Sequence, residues 1–442
     1  MLSAFFWYFM YRFPYSHCNV VVLFILYRLL HPLSPRGKLV HWGLEGLAAT
    51  NAMIDAAIHA TTTTTTFNNS STLDATKDDK NTASTIRLRD ELYRIATSDE
   101  QKQQLQEIAL AYPTIAEWKD DIHECGNNYD TITTMNKTER GPWNSGLRLH
   151  NGCCVLHVPS YLRGVYKACQ IMAQNTNSTI RWCPILRTPL SDHMVNDGDS
   201  NKDSKTEQDE HYDATIYCYG SNMFQRSEGD SNGLDFIPIS SSGTTRTQHK
   251  TYDCRTKISC LPVQLVRGQS MEVTLAQPLL HAVLCGKYIS PLPINPDQPY
   301  RYRALIGATH EFSRVPLSHD DVITDLQTRT NDFVPFRYHD MRIQHPLAAD
   351  SDTTTSFSNS VTSVDRITCG YRVQSTRSDY GRRPIIGKLS HDTSNHDWIF
   401  TGLSSRGLLY HAWYGQLLAQ AIRQDDESVL LDACPNILWW KS

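Results

Sequence analysis

Two arginines stand where an arginine is not ordinary surface decoration. Arg372 closes the apolar run RITCGYRV, and Arg406 sits between a glycine-punctuated turn and a helical run in GLSSRGLLY. Most isolated arginines are solvated, but a planar guanidinium is also the side chain best suited to grip a carboxylate with two parallel hydrogen bonds. Gly402 to Leu408 leads from extended chain into a helix. A helix N-terminus offers amide donors and a positive dipole end to an electron-rich group, and Gly402 and Gly407 would let such a group approach the backbone. A plain strand-to-helix turn is the competing reading. Arg267, in VRGQ, reads as a structural arginine that packs a sheet. His31 and His411 have the right side chain for base chemistry, without a partner pattern that requires it.

The elements that must position these residues alternate between helix and strand. Leu39–His59 and Asp99–Tyr112 have helical periodicity, and Pro159–Ala173 reads as a helix opened by Pro159 and Ser160. Asp213–Tyr219 is a short buried strand ending at Gly220. From Leu261 the chain turns to extended pieces, LPVQLVRGQSMEVTL, KYISPLP and YRALIGATHEF, whose alternation argues for an antiparallel sheet. Arg366–Val373 and Trp398–Thr401 are further strands, and Ser405 to Arg423 is a closing helix. This order implies α+β layers around a ligand, with no internal repeat.

Four stretches poor in large apolar residues read as solvated insertions: 61–85, 191–211, 226–255 and 349–363. The first 28 residues are apolar and aromatic, but Arg12, Pro14, His17 and Arg28 break the run. Its longest clean piece, Cys18 to Tyr27, is half of the roughly 20 residues a spanning helix needs. A misassigned gene start, a buried strand over Val20–Leu26 and a membrane span are the three readings, in that order of preference. The chain has 442 residues and a formal net charge of −4. That length allows two or three domains, and that charge gives no bulk attraction to nucleic acid. None of the 12 cysteines forms a C-x-x-C pair, and the adjacent Cys153 and Cys154 suit neither an ordinary disulfide nor a zinc site. Reduced, buried thiols in a cytoplasmic setting are the expectation, with organellar or membrane-anchored placement left open. No metal site is expected.

Five motifs in order carry a more specific signal. They are HPLSP at 31–35, LPVQLVRGQ at 261–269, YISP at 288–291 with IGATHEF at 306–312, GYRVQSTRSDYGRRPIIG at 370–387, and GLSSRGLLYHAWYGQLLAQAI at 402–422. Together they resemble the D-amino-acid oxidase family of FAD enzymes, over about residues 29–436. Within it they are most similar to glycine oxidase and to the oxidase half of the bacterial bifunctional enzyme that makes 5-methylaminomethyl-2-thiouridine in tRNA. The resemblance implies a two-domain α+β (α/β) fold, with a Rossmann-like dinucleotide-binding domain and an antiparallel-sheet substrate domain. It implies FAD as cofactor. His31, Pro32 and Ser34 would pass one side of the flavin, with Gly402, Ser405, Gly407 and Leu408 at its pyrimidine edge. Gly220 would end the strand returning to the dinucleotide domain, and Ile180–Cys183 would meet the adenine. Arg372 matches the carboxylate-binding arginine, with Val373 where the family has proline. Arg406 and Tyr288 match residues lining the glycine oxidase pocket.

One family element is missing. No glycine of the chain has another glycine two positions away, so there is no G-x-G-x-x-G turn for a pyrophosphate. The family places that unit ahead of HPLSP. A gene model lacking an upstream part and a protein that has lost its cofactor are the two explanations. The presence of Arg372, Tyr288 and Arg406 favours the first. The function implied is oxidation of a carboxylate-bearing primary or secondary amine to an imine, with hydride passing to flavin and oxygen reoxidising it. The alternatives are a tRNA wobble-uridine oxidase, disfavoured by the charge and the lack of a basic run, and a non-catalytic remnant.

Overall fold

The structure is a computed structural model. It describes residues 29–68 (except 35), 86–120 and 122, 145–180, 214–218, 224–225, 235–236, 261–330 (except 277, 280, 296, 313 and 314), 361–389 and 396–441. The first 28 residues, Gly220 and nearly all of Ile180–Cys183 therefore lie outside the described residues, as do 191–211 and most of the other insertions.

The N-terminal part opens with β1 (Leu29–Leu30), the turn carrying His31 to Ser34, and α1 (Gly43–Asn68). β2 (Arg87–Arg89), β3 (Leu92–Ile95), α2 (Asp99–Ala111), β4 (Ala116–Lys119), β5 (Gly146–Leu149), β6 (Cys154–Leu156) and α3 (Val158–Asn175) follow. Helix α1 is rich in small residues because it is clamped on two sides. A Cβ on Gly46 would lie 2.6 Å from the carbonyl of Leu409, and the Cβ position of Gly164 in α3 is 2.9 Å from that of Ala57. Thr50 donates to the carbonyls of Leu408 (3.1 Å) and Leu409 (3.2 Å). Ser98 caps α2 by accepting from the Gln101 amide at 3.1 Å.

The threonine run at 61–66 departs from expectation. It continues α1 to Asn68 instead of opening an insertion. Thr61 and Thr62 donate back to the carbonyls of Ala57, Ile58 and His59. Propagating an existing helix adds a hydrogen bond per residue, so poor propensity does not stop it at once.

After the short strands β7 (Thr215–Tyr217), β8 (Phe224–Gln225) and β9 (Asp235–Phe236) comes the long β10 (Val263–Leu275). β9 lies inside the 226–255 insertion, where it pairs with β8. Then follow β11 (Ala282–Leu284), β12 (Tyr288–Pro291), β13 (Tyr302–Gly307), α4 (His319–Thr330), β14 (Val361–Ser375), β15 (Ile385–Lys388), β16 (Asp397–Thr401), α5 (Gly407–Gln424) and α6 (Ser428–Ala433). β14 starts inside the 349–363 segment, because Val361 and Ser363 pair with Leu275 and Thr274 of β10.

The protein is a mixed α/β structure. Its largest sheet has eight strands in the order β14-β10-β13-β12-β11-β3-β5-β4. Within it β14, β10, β13, β12 and β11 pair antiparallel with one another, as alternation predicts. The sheet as a whole is mixed, because β11 pairs parallel with β3 and so continues into strands from the N-terminal part. Smaller sheets join β1, β6 and β2, and β15, β16 and β7. Among the described residues no helix is long and apolar enough to cross a membrane.

Candidate active site

The register of the large sheet decides which side chains share a face. Val266 pairs with Arg372, Gly268 with Gly370 and Ser270 with Thr368 across β10 and β14. Ser270 also pairs with Gly307 of β13, which pairs with Tyr288 of β12. Directly paired residues point the same way, and every second residue returns to that face. One face therefore carries Gln264, Gly268, Ser270, Thr368, Gly370, Arg372, Gln374, Gly307 and Tyr288. The opposite face carries Met271, Val273, Ile289, Ala304 and Ile306, packed under Val322 and Leu326 of α4. The sheet thus has a greasy side closed by a helix and a polar side surfaced with glycine.

The glycines make the room. A Cβ on Gly268 would lie 2.7 Å from Nη2 of Arg372, 3.1 Å from the Thr309 carbonyl and 3.4 Å from the Ala308 side chain. A Cβ on Gly307 would meet the Ser270 hydroxyl and, at 2.6 Å, the Tyr288 hydroxyl. Arg372 is 8% exposed, with Nη2 3.4 Å from the Thr309 carbonyl. The hydroxyls of Tyr288 and Ser270 are 3.0 Å apart. Ser270 lies two residues along β10 from Gly268, which is about 7 Å. A guanidinium and a phenol so spaced can hold one small carboxylate between them.

Arg267 is structural, as the sequence suggested. It is fully buried on the reverse face and pairs with Glu311, its Nε 2.9 Å from Oε2. Thr309 donates its hydroxyl to Glu311, so Thr309 and Glu311 turn away from the glycine-surfaced face.

The GLSSRG segment is tied to this face directly. Gln374 donates to the Ser404 hydroxyl at 2.7 Å and accepts from Gln264 at 3.0 Å. Gly402 holds φ +72° and Ser404 φ +55°, so the chain reverses sharply before the 3-10 turn Ser404–Arg406. Gly402 is thus required by conformation. Gly407 is not: its φ is −53°, and a Cβ there would make only an ordinary contact with Leu403 at 3.9 Å. α5 begins at Gly407 with its N-terminal end beside β14.

His31 lies within electrostatic reach of Arg94 and Arg406. Burial, then the charges of Arg94 and Arg406, hold its imidazole down to a pKa of about 3, so it is neutral near pH 7. Its Nδ1 accepts from the Leu33 amide at 3.2 Å. Arg94 is 5% exposed, and burial lowers its pKa to about 10. Arg406 reaches Tyr410, whose hydroxyl donates to the His41 carbonyl at 2.7 Å.

The structure thus groups Arg372 with Tyr288 on one sheet face, and His31 with Arg406 at the start of α5. Pro32 and Ser34 have local roles. Pro32 is buried against Gly43, and Ser34 closes a turn to Lys38 through N–H···O (2.7 Å) and N–H···Oγ (3.1 Å) contacts. Leu408 sends its side chain into the core and its carbonyl to Thr50. Ser405 sits in the 3-10 turn. His411 is 2% exposed and bonds the Tyr161 hydroxyl at 2.8 Å, so it is a packing residue. Burial raises the thiol of Cys154 to about 12 and that of Cys153 higher still, which leaves both inert.

Gln374, Ser404, Ser270, Gly268, Thr309 and Arg94 were not read as site residues. The signal for Gln374 was the period of two from Arg372, and that for Gly268 and Ser270 the same period along the strand paired with it. Arg94 carried no such signal.

These residues fit the isoalloxazine end of a flavin. A helix N-terminus, the adjacent Arg406 and a neutral imidazole suit a ring edge that gathers negative charge on reduction. Among the described residues no glycine-rich strand–turn–helix is present for the pyrophosphate.

No protein-family profile matches the sequence, and no curated protein does. Solved structures with a remote likeness include glycine oxidase from Bacillus cereus ATCC 14579, at 14% identity and a TM-score of 0.40. That match covers 78% of this chain and 74% of the other. Iminodiacetate oxidase from Chelativorans sp. BNC1 shares 12% identity over 93% of this chain and 88% of its own, with a TM-score of 0.45. L-proline dehydrogenase from P. horikoshii shares 10% identity over 79% and 75%, with a TM-score of 0.40.

Proposed function

We propose that this protein is an FAD-dependent oxidoreductase that oxidises an amine bearing a carboxylate, of the amino-acid or N-alkylglycine type, to the imine. The observation that carries this reading is Arg372. A nearly buried guanidinium stands on a glycine-surfaced sheet face, two residues from the glutamine that binds the turn opening α5. The sequence motifs that resemble the D-amino-acid oxidase family converge on that same place.

The protein's own residues position and desolvate. Arg372 takes the substrate carboxylate with two parallel hydrogen bonds, and the Tyr288 hydroxyl, oriented by Ser270, adds a third donor. Gly268 and Gly307 leave the room in which the Arg372 guanidinium and the Tyr288 hydroxyl lie against the sheet. The Gln374–Ser404 bond fixes the carboxylate site relative to the N-terminus of α5. His31, His31's neighbour Arg406 and the α5 amides would hold the flavin ring. When bound, FAD supplies the hydride acceptor and returns electrons to oxygen, giving peroxide. No side chain needs to remove the α-hydrogen as a proton, because holding the amine close and aligned suffices. The liberated imine hydrolyses in water.

The test is a peroxide-coupled assay of the flavin-loaded protein on glycine, sarcosine and a panel of simple amino acids. Peroxide that depends on substrate and flavin is the expected outcome. Loss of carboxymethylaminomethyluridine from tRNA with no peroxide from small amines would transfer the activity to tRNA. Failure to take up any flavin would leave a non-catalytic remnant.

A further inference from the structure

The backbone fixes the tautomer of His31. Its Nδ1 lies 3.2 Å from the Leu33 amide. An amide can only donate, so Nδ1 carries the lone pair and the neutral ring holds its proton on Nε2. The ring has little freedom to exchange its two nitrogens. Leu30 and Leu33 on either side of it are buried, and Leu33 is bridged to Leu39. Pro32, the next residue, accepts from the Val40 amide at 2.9 Å and packs against Gly43. His31 itself is half-buried, and among the described residues no acceptor stands at its Nε2.

Among the described residues no carboxylate bonds that ring. The charges that act on it are two guanidiniums, Arg94 of β3 and Arg406 ahead of α5. Contacts tie both to the segment that carries His31. Gly37, in the turn that follows, has its Cβ position 3.9 Å from Nε of Arg94. Tyr410, one helical turn past Arg406, donates to the His41 carbonyl at 2.7 Å. Burial and these two cations take the imidazole down to a pKa of about 3. The ring is then too weak a base to take a proton from a substrate near pH 7, yet it remains a hydrogen-bond donor. Two cations and a neutral N–H, held in place and partly desolvated, suit an oxygen on which negative charge grows.

We propose that His31 is a fixed Nε2–H donor to an oxygen of the flavin ring, a positioning and tuning residue that takes no proton itself. This rests on the FAD reading above and deepens it. The contact strengthens as the ring gathers negative charge, so it makes the flavin a better hydride acceptor. Losing the donor should disfavour the reduced ring about tenfold relative to the oxidised one, which is about 30 mV for a two-electron couple. The ring stays neutral between about pH 5 and pH 8, so this contribution is constant there.

Two substitutions divide the contacts of the imidazole. In His31→Asn the amide oxygen takes the place of Nδ1 and keeps the Leu33 contact, while the donor is lost. In His31→Gln the amide nitrogen takes the place of Nε2 and keeps the donor. With flavin bound, the midpoint potential of His31→Asn should fall by about 30 mV, and that of His31→Gln should stay near the wild-type value. A second readout needs neither flavin nor turnover. In NMR of histidine-labelled protein, the His31 ring nitrogens are assigned by their loss in His31→Asn. They should show a bare Nδ1 and a protonated Nε2 throughout about pH 5 to pH 8. Adding flavin should then shift the Nε2 proton. A proton on Nδ1, titration of the ring within that window, or equal potentials in wild type and His31→Asn would overturn this inference and leave the amine-oxidase reading standing. If the protein takes up no flavin, both are wrong.

Discussion

Gly268→Ala isolates the geometry of the carboxylate site from its chemistry. The added methyl would lie 2.7 Å from Nη2 of Arg372 and 3.1 Å from the Thr309 carbonyl. Ordinary contact begins at about 3.4 Å, so the guanidinium must retreat by about 0.7 Å, because the strand backbone yields less readily than the end of a long side chain. Misplacing a reacting or binding group by about 1 Å costs on the order of a hundredfold in rate. A loss of about 10- to 100-fold in kcat/KM for sarcosine is therefore expected, with flavin content unchanged. Overpacking should cost about 1–3 kcal/mol in stability, measurable by urea unfolding. The double variant Gly268→Ala/Arg372→Ala separates the causes. If the methyl acts through Arg372, it adds no further loss once the guanidinium is gone. Full activity in Gly268→Ala, or a loss that adds to that of Arg372→Ala, would refute this account of the site.

Two further outcomes follow from buried charge. Glu311→Ala leaves the fully buried Arg267 without its carboxylate, and breaking a buried pair from one side costs about 3–5 kcal/mol. Urea unfolding at pH 7 checks this, and a change under 1 kcal/mol would contradict it. His411 is neutral in the fold, its pKa lowered to about 3, chiefly by burial. The unfolded chain takes up that proton near its ordinary 6.5, so stability is present above pH 6.5 and lost as pH falls toward 3. The slope is about 1.4 kcal/mol per pH unit for this group. His411→Phe should flatten the decline between pH 6.5 and 4 by that amount, and an unchanged slope would remove His411 as its source.

The alternating strands from Val263 onward, the capped helix at Asp99 and the closing helix were legible because local pattern and burial agree there. The antiparallel core around Arg372 was legible for the same reason. The joining of that core to β3, β5 and β4 was not, because a parallel contact between Ala282 and Leu92 leaves no local trace. The helical threonines were misread because hydroxyl back-bonding and an already formed helix outweigh composition. At the site, resemblance pointed to Arg372, Tyr288 and Arg406, but not to what sets them. Gly268 and Gly307 make the space, and Gln374 and Ser404 tie the sheet to α5. Each of those four depends on register between distant strands and turns, which a single sequence carries only as an alternation to be placed. Arg94 was passed over because an arginine in a short strand has nothing in its neighbours to mark it as buried beside His31.

The central claim is that Arg372 anchors a carboxylate whose amine then gives hydride to flavin. The most direct measurement is anaerobic mixing of the flavin-loaded protein with sarcosine, glycine or another simple amino acid, following loss of the visible absorbance of oxidised flavin. Wild-type protein should bleach. Arg372→Ala should keep its flavin but bleach slower by about 30- to 5,000-fold in kred/Kd, the equivalent of about 2–5 kcal/mol. Arg372→Lys should recover part of this, since an ammonium cannot make the two-pronged contact. Unchanged absorbance with every carboxylate-bearing amine tried, or equal bleaching with and without Arg372, would contradict the claim.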